Sequence, residues 1–183
     1  MEEQNLIGVD VGTASVRAGV ANLAGDLLGV EGEPLDLITH GKDHIEQDPD
    51  EMLSTAMRVI KRVLDKTGVE PNSILGISFD GQMAGIMGVD RDFRPATPYD
   101  SWLDTRCAPY VELMRERAGR EVSASAGAYP SINHGPKMLW WKEEHPEVFG
   151  RIHKFIQPAA YVAGRLAGLK GEEAFIDYTY LHF

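Results

Sequence analysis

The chain has 183 residues, with 28 acidic side chains against 18 basic, a formal charge of -10 and 43% hydrophobic content. That supplies one sizeable core without staples, while the absence of a Lys/Arg cluster excludes nucleic acid and anionic membranes, which need a local basic surface. A single cysteine, Cys107, can close no internal disulfide and lacks the paired spacing of a zinc or redox motif. The acidic start, with no basic-then-apolar leader and no long apolar run, reads as a soluble cytoplasmic protein.

In chain order, residues 6–10 and 16–20 are two short strands joined by a Gly-Thr turn, and residues 22–26 turn again into a third strand at 27–30. A helix then opens at Asp48-Pro49-Asp50-Glu51, with Asp48 as cap, Pro49 in the first turn and two acids at the positive dipole end. Met52, Leu53, Ala56, Val59, Ile60, Val63 and Leu64 recur at three and four, so one face is buried until Gly68 stops the helix. The apolar run 74–79 is a strand parallel to the first, because a long helix intervenes. Residues 86–89 with the turn 90–93 read as a hairpin. The second half is mostly helical, with Pro136 opening a helix over 137–144 and Pro158 opening one over 159–167. No repeat, linker or domain boundary interrupts the chain.

The stretch "GVDVGTASVRAGV" places an acid and a flexible turn inside an apolar run. A strand, a tight turn and a returning strand present the N–H groups of Gly12, Thr13 and Ala14 with the hydroxyls of Thr13 and Ser15, a donor-rich cradle for phosphate oxygens. Asp10 beside it is an oxygen ligand of the kind Mg²⁺ takes, and Arg17 adds fixed positive charge. The alternative is a plain β-turn whose Asp and Thr satisfy local backbone groups. It is neither a Walker loop nor a Rossmann fingerprint, since no Gly-Lys-Ser/Thr follows and a strand comes after the turn.

This stretch resembles the first phosphate motif of the actin and hexokinase superfamily, and its Asp-x-Gly-Thr-x-Ser-x-Arg form is similar to the FGGY family of carbohydrate kinases. Three further segments, "ISFDGQMAGIMGVDRDFRP", "SWLDTRC" and "PKMLWWKEEHPEVFGRIHKFIQPAAYVAGRLAG", resemble that family in the same order. The resemblance implies an α/β, actin-like (ribonuclease H-like) fold, a mixed sheet flanked by helices. It also implies that residues 1–183 form an incomplete N-terminal domain. Asp177-Tyr178 resembles a segment lying before the family's catalytic aspartate, which is expected beyond Phe183 together with the nucleotide domain.

The implied activity is transfer of the γ-phosphoryl group of ATP, with Mg²⁺, to a hydroxyl of a sugar or polyol, this stretch alone being inactive. Asp10 is the metal candidate, and Asp10, Gly12, Thr13, Ser15 and Arg17 form the phosphate set. Gln82, Met83, Trp102, Asp104, Asn133 and His134 form the sugar set. Asp104 and Arg106 equally suit a helix-start acid and its partner, Trp102 a core position and His134 a solvated loop. Xylulose kinases show Gly-Gln-Met-His-Gly where this chain has Gly81-Gln82-Met83-Ala84-Gly85, and glycerol kinases show Arg-Glu at positions 83 and 84. A pentulose or related ketose or polyol is therefore the expected substrate class, and a non-catalytic sugar-binding module is the alternative. The aromatic run at 175–183, left as an uncovered edge, predicts a homodimer or higher association through this region, or else disorder of the tail.

Overall fold

Alternation along the first strand decides the main layer. In the computed structural model, which describes residues 4–177, β1 (Asn5–Val11) buries Ile7, Val9 and Val11 and turns Leu6, Gly8 and Asp10 outward. It pairs antiparallel with β2 (Ser15–Asn22), which pairs antiparallel with β3 (Leu27–Pro34). On its other side β1 pairs in parallel with β6 (Ile74–Gly81), giving the order β3-β2-β1-β6. Register brings Val9 beside Ala18 and Phe79 on the inner face, and Asp10 beside Arg17 and Asp80 on the outer one.

The crossover between β1's neighbourhood and β6 is α1 (Pro49–Thr67), bounded as its sequence requires. The Asp48 carboxylate accepts the Asp50 N–H, and Gly68, in the left-handed region, donates to the Leu64 carbonyl. Met52, Ala56, Val59 and Val63 are fully buried against the inner residues of β1 and β2. Its flank is pinned to β3 by Arg58–Glu33 (2.6 Å), Arg62–Glu33 (2.9 Å) and Lys66–Glu31 (2.7 Å). These exposed pairs add little individually. The last helix, α5 (Pro158–Ala167), lies beside α1 on the same face and covers β6. Asp10, Arg17, Ser78 and Asp80 stand on the opposite face, which no described helix covers.

Beyond the main sheet, β4 (Ile38–Thr39), β5 (Ile45–Gln47) and β8 (Tyr99–Asp100) form a small antiparallel sheet, with β5 central. The strand β7 (Met87–Val89) is followed by the expected tight turn, in which Phe93 donates to the Asp90 carbonyl and Asp90 to that of Arg94. Its extended partner, however, is β9 (Lys154–Ile156). The remaining helices are α2 (Ala108–Ala126), α3 (His134–Glu144) and α4 (Pro146–Phe149). Thus α3 begins before Pro136 and α5 at Pro158. The expected C-terminal edge falls, for residues 178–183, outside the described residues. No described helix is long and apolar enough to cross a membrane.

The loop after β6 is a rigid frame. A Cβ on Gly85 would collide with the Tyr99 phenol and the Asp100 carbonyl, so this position accepts only hydrogen. The residue before it, Ala84, adopts φ 63°, the left-handed region disfavoured for side chains with a Cβ. Ala84→Gly is expected to raise stability by about 1 kcal/mol, whereas Gly85→Ala should lower it by about 3 kcal/mol or more. Urea unfolding of both variants checks this; equal midpoints would show that the frame is not strained.

Candidate functional site

Parallel pairing of β1 and β6 sets their carboxyl ends side by side, and the Gln82 N–H donates to the Val11 carbonyl at 3.1 Å. The turn of residues 12–14 and the loop of residues 82–85 therefore leave the sheet as neighbours. Four side chains meet between them. The Thr13 hydroxyl donates to Gln82 Oε1 at 3.1 Å and accepts the indole N–H of Trp102 at 3.0 Å. Gln82 Nε2 donates to Gln47 Oε1 at 2.7 Å. Gln47 Nε2 donates in turn to the carbonyls of Thr13 (2.9 Å) and Asp36 (3.3 Å). Gln82 and Gln47 are buried, while Trp102 remains 48% exposed and Met83 49%, so the network has a dry floor and an open apolar rim.

The phosphate set is only partly free. The Gly12 N–H closes the turn onto the Ser15 carbonyl at 3.1 Å, which removes it from the expected cradle and leaves the amides of Thr13 and Ala14. A side chain on Gly12 would press to 3.0 Å from that carbonyl, and the Asp10 carboxylate lies over the same spot, 3.6 Å from where the Cβ would sit. Neither Asp10 nor Arg17 makes a side-chain hydrogen bond or ion pair among the described residues, and both line a shallow depression with Ser78 and Asp80. An unpaired, solvent-reached carboxylate beside free amides fits a hydrated Mg²⁺ held next to phosphate oxygens. Ser15 starts β2 half-buried at the turn's far side.

The segment carrying Trp102 is held from beneath by buried charge. Asp104 caps no helix but lies buried beside Arg106: it is 1% exposed, its Oδ2 accepts the Ile45 N–H at 2.8 Å, and it pairs with Arg106 Nε at 2.8 Å. Arg106 also reaches Asp100 (2.6 Å) and Glu46 (3.1 Å), and its guanidinium stacks over Trp140. Buried Lys137 donates to the carbonyls of Ser101 (2.9 Å) and Asp104 (2.7 Å), clamping both ends of the turn whose tip is Trp102. Asp100, which also accepts the Trp141 indole N–H at 2.5 Å, is pushed up to about 7 by burial, with Arg106 and Lys137 pulling the other way.

His134 and Asn133 do not join Gln82. His134 is neither solvated nor open to the cleft: it is 4% exposed, bonded to the Gly85 backbone, and 3.0 Å from the Gln157 amide. Burial, with Lys137 nearby, pushes its pKa down to about 4. It props the Gln82 loop from behind. The Asn133 amide donates to Ser131. Reading the sequence missed Gln47, Arg106's several partners and Lys137, since their contacts span 33 residues or more in most cases. Only the polar pair Glu46-Gln47 before the Asp48 cap was a signal.

One further group has metal-ligand chemistry. His40, His44 and Glu46 converge on the β4–β5 hairpin, but Arg106 already lies 2.8 Å from His44 Nε2 and 3.1 Å from Glu46, so a cation there would face a fixed positive charge. A separate depression, lined by Leu28, Thr67, Gly68 and Val69, is at the opposite end of the sheet from Asp10.

The sequence profile of the FGGY family of carbohydrate kinases, N-terminal domain, matches residues 5–181. The chain belongs to the FGGY family. Xylulose kinase of Bacillus subtilis (strain 168) is 29% identical over 165 residues, 90% of this chain and 33% of that protein. The crystal structure of xylulose kinase from Rhodospirillum rubrum superposes with a TM-score of 0.87 at 23% identity, covering 98% of this chain and 37% of that one. Gluconate kinase from Lactobacillus acidophilus gives 0.81 at 22%, covering 93% and 36%. The fold is thus the actin-like α/β fold of FGGY kinases. This FGGY chain spans about one third of the length of the curated relatives it matches.

His134 and Asp100 have opposite linkage to pH. His134, lowered when folded, contributes stability that is present above about pH 6.5 and lost as pH falls toward 4; Asp100, raised when folded, costs stability as pH rises from about 4 to about 7. The two partly cancel in the native protein. His134→Gln is expected to remove the first effect, so its destabilisation relative to wild type should shrink by about 2 kcal/mol between pH 7 and pH 5. Urea midpoints at both pH values check this, and a constant difference would show that His134 titrates normally.

Proposed function

We propose that residues 1–183 are the sugar-side part, within the N-terminal actin-like domain, of a kinase that transfers the γ-phosphoryl group of ATP to a hydroxyl of a pentulose or related ketose or polyol. The observation that carries this reading is the Thr13 hydroxyl, bonded at once to Gln82 and Trp102. A phosphate-turn residue and two sugar-side residues are thereby within reach of one transferred group, which is the positioning that phosphoryl transfer requires. Family membership and relatives named xylulose kinase support the substrate class.

Each residue's part follows from its surroundings. Trp102 offers an apolar face to a sugar ring and the Gln82 amide pairs with its hydroxyls. The free amides of Thr13 and Ala14, with Arg17, orient phosphate oxygens. Asp10 would hold Mg²⁺, directly or through water. The ion supplies neutralisation of phosphate charge when bound. Asp104 and His134 act from beneath by fixing the segments that carry Trp102 and Gln82. Among the described acids, Asp10 and Asp80 are exposed near this cluster, and both line the depression that holds Arg17. The resemblance to the FGGY family implies a downstream aspartate as the proton acceptor for the sugar hydroxyl.

The reading is tested by ADP release from a family-length enzyme carrying this chain, against ketopentoses, polyols and aldonates. Turnover with a ketopentose or polyol is expected, and none from residues 1–183 alone. Asp10→Asn is expected to lower turnover by roughly tenfold or more and to raise the Mg²⁺ requirement. Sugar binding with no ADP release from the family-length protein would leave a sugar-binding module instead.

A further inference from the structure

Gln47 has no place in either expected residue set, yet it orders the whole cluster. It is fully buried on β5, and both of its N–H groups face backbone carbonyls, those of Thr13 and Asp36. The opposite amide orientation would set an oxygen against two carbonyl oxygens in a dry site, so the polarity of this side chain is fixed by chemistry. Its Oε1 must then accept, and it receives Gln82 Nε2 at 2.7 Å. That in turn fixes Gln82: its nitrogen points at Gln47 and the Gly12 carbonyl (3.4 Å), and its Oε1 points at Thr13. The Thr13 proton is thereby engaged by Gln82, and a lone pair on the same oxygen receives the Trp102 indole N–H.

We propose that Gln47 is a positioning residue that sets the direction of hydrogen bonding from the sugar-side loop to the phosphate-side turn, and so couples occupation of one to the other. Resting on the kinase reading, the coupling works through competition for one acceptor. A ligand hydroxyl that donates to Gln82 Oε1 shares that acceptor with Thr13 and weakens the Thr13 bond to it. The Thr13 proton is then free to turn toward a phosphate oxygen at the turn, where the Gly12 N–H is already occupied. Sugar binding thus adds a donor to the phosphate site, and by linkage phosphate binding favours sugar to the same degree. Without the fixed Gln47 oxygen, the Gln82 amide can flip, and the direction of the relay is lost.

The experiment has a ligand-free arm and a ligand arm. In ¹⁵N-labelled residues 1–183, the indole N–H signal of Trp102, assigned with Trp102→Phe, is expected to move in Gln47→Met although Gln47 does not touch Trp102. In the family-length enzyme, affinity for D-xylulose is measured by calorimetry with and without a non-hydrolysable ATP analogue. Wild type is expected to bind sugar about fivefold or more tightly with the analogue present, and Gln47→Met should show a ratio near one. Loss of stability in Gln47→Met with an unmoved indole signal and an unchanged ratio overturns the proposal and makes Gln47 a core residue only. Thr13→Val, at a half-buried position, cuts the relay beyond Gln82 and guards against misfolding of the first variant; a retained ratio in Thr13→Val overturns the proposal as well. Wild type that binds neither ligand overturns the kinase reading itself, an outcome told apart from failure of the relay by the indole signal, which needs no ligand.

Discussion

The parallel pairing of β1 with β6 is the constraint on which the rest of the molecule depends. Antiparallel neighbours would send consecutive turns to opposite ends of the sheet. A parallel pair brings two carboxyl-terminal loops, separated by about seventy residues of chain, to the same edge. The bond from the Gln82 N–H to the Val11 carbonyl extends that pairing one step past the strands. Everything that converges on Thr13 follows from this step, including the approach of β5 with Gln47. The helix α1 is what makes the parallel return possible, and its buried face is the largest single contribution to the core beneath the site.

Much of this layer was legible in the sequence because it depends on local signals. Apolar stretches on either side of a Gly-Thr turn gave β1 and β2, the Asp48-Pro49 cap and the three-four spacing gave α1 to its Gly68 stop, and the intervening helix gave β6 its direction. The small sheet was not legible: β4 and β8 have two residues each, too short for any period to show, and they exist because β5 offers them an edge. The same holds for α2, which has no wide apolar face, buries only Val111 and Gly119, and is interrupted at Ala118 (φ -145°). For β7 the turn was readable from residues 90–93, but its partner β9 lies sixty-odd residues on, where a three-residue strand gives no warning.

The candidate site divides along the same line. Residues adjacent in sequence to a turn, Thr13 and Gln82 among them, were found through motifs. Residues whose meaning is a distant partner were ambiguous or silent. Asp104 carried two readings in the sequence, and one of the groups around it, the Ile45 amide, lies 59 residues away. Lys137, a lysine in an aromatic-rich helix, gave no hint that its ammonium would be buried beneath Ser101 and Asp104. Breaking one member of such a buried ionic group leaves its partners uncompensated, which costs more than the group contributes when whole. That asymmetry explains why two cations and three acids can support one exposed indole.

The loop pinned between Gly85 and Tyr99 has a consequence for how its surface can vary. With Gly85 unable to carry a side chain and Ala84 locked in a left-handed conformation, the backbone path of residues 82–85 has no room to widen or shift. Reshaping the loop backbone is therefore not open to this chain. Adaptation is instead confined to exchanging what projects from positions 83 and 84, much as different bits are fitted to one chuck. Position 84 accepts residues tolerant of positive φ most readily, and histidine and asparagine are among them. The evolutionary search there is consequently narrow, a short menu of tips on an unmoving holder.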